Sequence, residues 1–237
     1  MTTTSVLTPA LWEPAVGVRV RGALSLVGGA GEASRVYERF GRRLSADGYV
    51  VAVFEAADAE DAVRWLAAQD SAPRVLVGSD GGAAGVLALA AAGAEADGLI
   101  VAGTPVAGVD DSAADDTART ACPLHLGILA EDGARTEVTA AAVSVPDAAS
   151  LARITAPVLA IHGGADTIAP FAQALATLSA IPELELVETV DGLHDALNDQ
   201  SHRSVAARIV LWLERLRGAG VRHPIVRDAA DTTEVSS

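Results

Sequence analysis

The sequence predicts an α/β protein, a mostly parallel sheet with helices on both faces. Three observations predict it. Apolar runs rich in β-branched residues, such as Tyr49-Val50-Val51-Ala52-Val53-Phe54, alternate regularly with amphipathic segments. The turns between them carry glycine, aspartate and proline. Hydrophobic residues make up 50% of the 237, enough to bury one sizeable core.

The elements follow in order. Residues 16–20 and 23–27 read as a short strand pair, the second entering the loop Gly28-Gly29-Ala30-Gly31. Residues 33–46 read as an amphipathic helix, with Val36, Phe40 and Leu44 four apart and Gly48 as its C-terminal cap. Residues 49–54 form a buried strand, and residues 58–69 a helix with Ala62, Trp65 and Leu66 inward. A strand over 74–77 runs into Gly78-Ser79-Asp80-Gly81-Gly82 and a helix to about residue 92; another strand covers 97–102. The stretch 104–152 is polar and weakly periodic, and its central part, 105–150, reads as a short cap above the sheet. Regularity returns with a strand at 157–161, a helix at 170–180 opened by proline, a strand at 184–190 and a helix at 199–216. In the last, Val205, Ile209, Trp212, Leu213 and Leu216 share one face. One domain therefore spans 1–221, followed by a polar tail at 222–237. Alternating strands and helices imply parallel pairing, with ligands beyond the carboxyl ends of the strands.

Charge and composition exclude several classes. There are 17 basic residues against 31 acidic ones, a net charge of −14, and every basic residue is an arginine. Without lysine there is no lysine Schiff base, no pyridoxal-phosphate chemistry and no P-loop. An acidic chain repels phosphate backbones, and so few aromatic residues offer no stacking platform, so nucleic acid is not an expected partner. The single cysteine, Cys122, allows neither an internal disulfide nor a cysteine-rich metal site. The N-terminus lacks a basic segment followed by a long apolar one, and the apolar run 83–92 is too short to cross a bilayer. The expectation is a cytoplasmic protein with a small-molecule substrate and no metal or organic cofactor; oligomeric state is left open.

The strand ends carry the chemistry. After the strand at 74–77, Gly78 and Gly82 flank Asp80 two residues to either side. A sharp strand–turn–helix apex wants small residues at those two positions, because the backbones of strand and helix nearly touch there. That register puts Asp80 at the apex. A competing register puts Ser79 there, but Val77 would then occupy a position that wants a small residue. A third reading makes Asp80 only the cap of the following helix. Asp166 follows the strand at 157–161, and His194 lies in the loop after the strand at 184–190. Gly29-Ala30-Gly31 lacks the third glycine of a dinucleotide-binding fingerprint.

These segments resemble the α/β-hydrolase superfamily, and within it the monoglyceride lipase and lysophospholipase-like (serine aminopeptidase-type) branch. Gly28-Gly29-Ala30-Gly31-Glu32-Ala33-Ser34, with Tyr37, is similar to that branch's oxyanion loop. The stretch Ile154 to Asp166 is similar to its strand and acid loop, and Gly192-Leu193-His194-Asp195-Ala196-Leu197-Asn198-Asp199 to its histidine segment. The resemblance implies an α/β-hydrolase fold over about 18–216. It also implies a site with Asp80 or Ser79 as nucleophile, Asp166 as acid and His194 as base, and an oxyanion hole from the backbone N–H groups of Ala30 and Gly81. Two departures stand out. The branch has serine where this chain has Asp80, and histidine where it has Gly28.

An aspartate attacking an acyl carbon would give an anhydride, whereas at an sp³ carbon it gives an ester that water can hydrolyse. The leading expectation is a hydrolase of a small uncharged ester or related substrate, working through nucleophile, histidine and acid; the alternatives are hydrolysis of an epoxide or carbon–halogen bond with Asp80 as nucleophile, and ligand binding without catalysis. The first alternative needs help for the leaving group: dehalogenases of this fold often place a tryptophan right after the aspartate, where this chain has Gly81, and epoxide hydrolases use cap tyrosines, whereas neither Tyr37 nor Tyr49 lies in the cap. His125 does, as a proton donor or, more simply, as a packing residue.

Overall fold

The structure, a computed structural model, describes residues 9–106, 115–134, 144–218 and 220–226. Seven strands form one sheet: β1 (Ala10–Trp12), β2 (Gly22–Val27), β3 (Tyr49–Phe54), β4 (Arg74–Ser79), β5 (Gly98–Ala102), β6 (Val158–Gly163) and β7 (Leu184–Thr189). Their order is β1-β3-β2-β4-β5-β6-β7, parallel throughout except for the antiparallel β1–β3 pair. The chain moves from β2 out to β3, then crosses back to place β4 on the other side of β2. In sheets of this kind, ligands sit at such a reversal, beyond the carboxyl ends of the strands, here β2 and β4.

Helices α1 (Glu38–Ala46), α2 (Ala59–Ala67), α3 (Gly81–Ala91), α7 (Phe171–Leu178) and α8 (His202–Arg217) cover the sheet, and three short ones, α4 (Asp116–Arg119), α5 (Pro123–Leu129) and α6 (Ala148–Leu151), lie within or beside the expected cap. The central strands are buried on both faces, which explains their unbroken apolar runs. Strand alternation therefore splits the core in two. Leu24, Leu26, Val75, Val77 and Ile100 pack with Phe40, Leu44, Ile209 and Trp212 beneath α1 and α8. Ala23, Val27, Leu76, Leu99 and Val101 pack with Leu66, Val86, Leu87 and Leu178 beneath α2, α3 and α7. This is the α/β-hydrolase fold that the sequence predicts.

The expected strand at 16–20 is absent. Val16 and Val18 are exposed, and a different segment, β1, pairs with β3. The reason is topological: β2 already has β3 and β4 as neighbours, so a strand just before it has no free edge to join. The helix expected at 33–46 begins as one 3₁₀ turn, Ser34–Tyr37, before α1. The expected cap falls partly outside the described residues (107–114 and 135–143), as does 227–237 of the expected tail.

Candidate active site

The β4–α3 turn is built by close approach. A Cβ on Gly78 would lie 2.5 Å from Ala83 Cα, and one on Gly82 only 2.2 Å from the Val27 carbonyl oxygen. Only glycine fits either place, so the spacing read from the sequence is a steric requirement. Between them Asp80 takes φ 52° and ψ −125°, uncommon for a residue with a side chain and a mark of local strain. Asp80 stands at the cap position of α3 but makes no side-chain cap bond, so the helix-cap reading fails. Ser79 is the last residue of β4 and only 3% exposed.

The Asp80 carboxylate is one of four charged groups gathered at the apex. Its Oδ1 lies 3.1 Å from His194 Nε2, and the other ring nitrogen, Nδ1, lies 2.8 Å from Asp166 Oδ2. The three residues are 7%, 1% and 5% exposed, in the order Asp80, His194, Asp166. Asp166 is fixed in turn: its Oδ1 accepts the backbone N–H groups of Ile168 and Ala169, each at 2.9 Å, and His162 Nε2 stands 3.1 Å from its Oδ2. The fourth group was not foreseen. Arg119, at the end of α4, donates from Nη1 to Asp80 Oδ2 at 3.2 Å. It lies in the weakly periodic stretch, where no motif marks it, and only folding brings it to the apex.

The electrostatics follow from the geometry. Burial disfavours a charged His194, yet hydrogen bonds to Asp166 and Asp80 and the charges behind them outweigh it, and the ring is pushed up to about 10. It is an imidazolium at neutral pH. Burial likewise works against ionisation of Asp166, but hydrogen bonds from His162, His194 and the Ala169 backbone hold it well below the usual carboxylate range. Asp80 is also lowered: His194 and Arg119 overcome its burial.

The loop after β2, which carries Ala30, abuts the same turn. A Cβ on Gly81 would stand 3.5 Å from the backbone nitrogen of Ala30, so the two N–H groups named from the sequence are neighbours. The Gly29 N–H donates to the Tyr37 hydroxyl at 2.9 Å, and that hydroxyl donates to Glu32 Oε2 at 2.5 Å. Burial, then the Glu32 charge, raises Tyr37 well above its ordinary value, so it stays a donor. His125 is fully buried on α5 and paired with Asp195 Oδ2 at 2.5 Å, which gives it a packing role. Among the described residues no cluster of three or more His, Cys, Asp or Glu could hold a metal ion, and no helix is long and apolar enough to cross a membrane.

Sheet order and the strained apex after β4 together define a protein of the α/β-hydrolase fold. The chain belongs to the prolyl oligopeptidase family, whose model matches residues 31–219. No curated protein matches it in sequence. Its fold is similar to that of a monoacylglycerol lipase from Paleococcus ferrophilus, at 19% identity and TM-score 0.73 over 88% of this chain and 98% of that one. A soluble variant of monoglyceride lipase from Saccharomyces cerevisiae aligns at 17% identity and TM-score 0.72, over 87% and 90%. A thermostable carboxyl esterase from Bacillus coagulans aligns at 17% and 0.71, over 87% and 93%.

Proposed function

We propose that the protein is a hydrolase that uses Asp80 as a covalent nucleophile on an sp³ carbon bearing a leaving group stable as an anion, a halide above all. The observation that carries this reading is the Asp80 carboxylate at the apex, 3.1 Å from the ring of His194. In the first step an oxygen of ionised Asp80 forms a bond to the carbon, and the leaving group departs with its electron pair. Once the ester has formed, the His194 imidazolium releases its proton to solvent alongside the departing halide; water then attacks Cγ of the ester while the neutral His194 takes the water's proton. The backbone N–H groups of Ala30 and Gly81 stabilise the oxyanion. The tetrahedral intermediate then expels the alcohol's oxygen, which takes that proton back from His194, and the acid proton left on Asp80 passes to His194, which restores the ionised carboxylate, now with one oxygen from water, and the imidazolium.

The charge arrangement fits this order of events. In the resting site two carboxylates keep His194 protonated, so it cannot serve as a base. Forming the ester removes the Asp80 charge and with it part of what holds the proton, and the ring's proton affinity falls toward the range a general base needs. A direct attack by water, with Asp80 still ionised, would face a base already occupied. Arg119 can stabilise negative charge beside Asp80 but cannot give up a proton, and a halide needs none. An epoxide oxygen does need one. The Tyr37 hydroxyl is buried and donates to Glu32, and the Tyr49 hydroxyl donates to Glu214 at 2.5 Å. Both tyrosines are thus committed elsewhere, which favours the carbon–halogen bond over the epoxide.

The likeness of the fold to lipases and esterases favours a second reading, hydrolysis of a small uncharged ester. It requires either an Asp80 anhydride or attack by Ser79 from within β4. The test uses His194→Gln, which allows the first step and blocks the second. Intact-protein mass spectrometry after incubation with short bromoalkanes is expected to show one alkyl group per chain, mapped to Asp80, with one bromide released. Turnover of p-nitrophenyl esters by the unaltered protein with no alkyl adduct would move the assignment to the ester reading. Binding without turnover of either class would leave a non-catalytic protein.

A further inference from the structure

Two separate segments deliver charged side chains to Asp80. One is the loop after β7, which carries His194; the other is the stretch from α4 to the start of α5, which carries Arg119. A single buried carboxylate joins them. Asp199 is 2% exposed. Its Oδ2 accepts the N–H of Leu193, the residue before His194, at 2.9 Å. Its Oδ1 accepts the N–H of Ala121 at 2.8 Å and the hydroxyl of Thr120 at 3.0 Å, the two residues after Arg119. Two outer bonds run between the same segments: Asp195 N–H to the Arg119 carbonyl at 2.8 Å, and Gln200 Nε2 to the Ala121 carbonyl at 2.9 Å. The proposed chemistry makes no use of Asp199.

We propose that Asp199 is a positioning residue that sets the places of His194 and Arg119 against Asp80 together, by tying the loop after β7 to the segment after α4. Its consequence for turnover rests on the reading of Asp80 as nucleophile; the geometry does not. A carboxylate suits the task because it offers two acceptor oxygens to two sets of donors. An asparagine has one acceptor oxygen, so it serves one segment and turns its own N–H₂ toward the donors of the other. An alanine serves neither. The ionised state agrees with this: burial opposes it, but the Leu193, Ala121 and Gln200 backbones and the Thr120 hydroxyl hold Asp199 below its ordinary value.

The experiment reads the site without substrate. The charged groups bonded to the His194 ring are Asp80 and Asp166, so its titration midpoint reports how closely it is held. Imidazole ¹⁵N NMR on the unaltered protein should give a midpoint near 10. Asp199→Asn is expected to lower it by about one unit or more, a tenfold or larger loss of proton affinity, with far-UV circular dichroism unchanged. A midpoint unmoved in a folded Asp199→Asn protein overturns the proposal. Thr120→Val is a milder variant that loosens only the Arg119 side. Its crystal structure should show Arg119 displaced from the 3.2 Å contact with Asp80 while His194 stays in place; a retained Arg119 contact also overturns the proposal. Should no substrate be turned over, the functional reading fails, while these two measurements still decide the role of Asp199.

Discussion

The two ends of the sheet hold clusters made from similar ingredients. At the amino ends of β2 and β3, Arg21 and the Tyr49 hydroxyl converge on Glu214 of α8, with Arg21 Nε at 2.9 Å and the hydroxyl at 2.5 Å. At the carboxyl ends, Arg119 and His194 converge on Asp80, at 3.2 and 3.1 Å. The first cluster opens to solvent at Arg21, whose side chain is 38% exposed, while the Glu214 side chain is 18% exposed and Tyr49 is buried. Its carboxylate is satisfied by partners that are themselves at ease: hydrogen bonding from Arg21 leads in holding Glu214 down to about 2. The second is closed off, mounted on a strained residue, and holds a histidine between two carboxylates. A surface-side ion pair adds little energy and asks little of the backbone, whereas buried charges bind a scaffold to one geometry. Chemistry calls for the second arrangement, because a group that changes charge during a reaction must be coupled strongly to its neighbours.

Four tests, one of them a pair of glycine substitutions in α3, probe that contrast, from the largest expected effect to the smallest. Asp80→Asn should abolish alkyl transfer, a loss of about a thousandfold or more in rate, and should lower the His194 midpoint measured by NMR. A full rate in this variant would break the assignment. Gly82→Ala forces a Cβ to within 2.2 Å of a backbone oxygen, so chemical denaturation should show a loss of about 3 kcal/mol or more. Gly85→Ala, in the same helix, meets nothing within 4 Å and should gain up to about 1 kcal/mol.

The third test is stability against pH. The folded-state value of His194 is raised to about 10 from an unfolded value of 6.5. Between those limits the folded chain holds the proton that the unfolded chain has released, so this contribution is complete below 6.5 and is lost as pH rises toward 10. Asp80 and Asp166 are shifted the other way, so their contribution is present at neutral pH and is lost as acid reaches their lowered values. Urea midpoints should therefore fall between pH 7 and 10, and the slope should flatten in His194→Gln. The smallest effect belongs to the other end of the sheet. Glu214→Gln should cost no more than about 1 kcal/mol, since solvent screens its pair with Arg21, and should leave the His194 titration as it was.

Much of this was legible in the chain itself. The buried strands announced themselves as unbroken apolar runs. Gly78 and Gly82 fixed the register at Asp80 through a steric demand that is local in sequence. Asp166 and His194 followed their strands at short range, so the rule about carboxyl ends found them. The strand at 16–20 misled because an alternating valine pattern says nothing about whether a sheet edge is free to receive it. Arg119 and Asp199 escaped for another reason. Arg119 lies 39 residues from Asp80, and Asp199 lies 79 from Thr120; neither sits in a pattern that encodes its partner.

The sequence alone determined the layered architecture, the sharp turn after β4 and an aspartate at its apex, because hydrophobic period and backbone crowding act over a few residues. The tertiary structure decided which charges meet there: a histidine from the loop after β7, a guanidinium from α4, and a carboxylate that ties the two segments together. Those encounters depend on the order of strands in the sheet and on loops that cross it, and Coulomb energies of buried groups are set by ångström-scale distances that no spacing along the chain records.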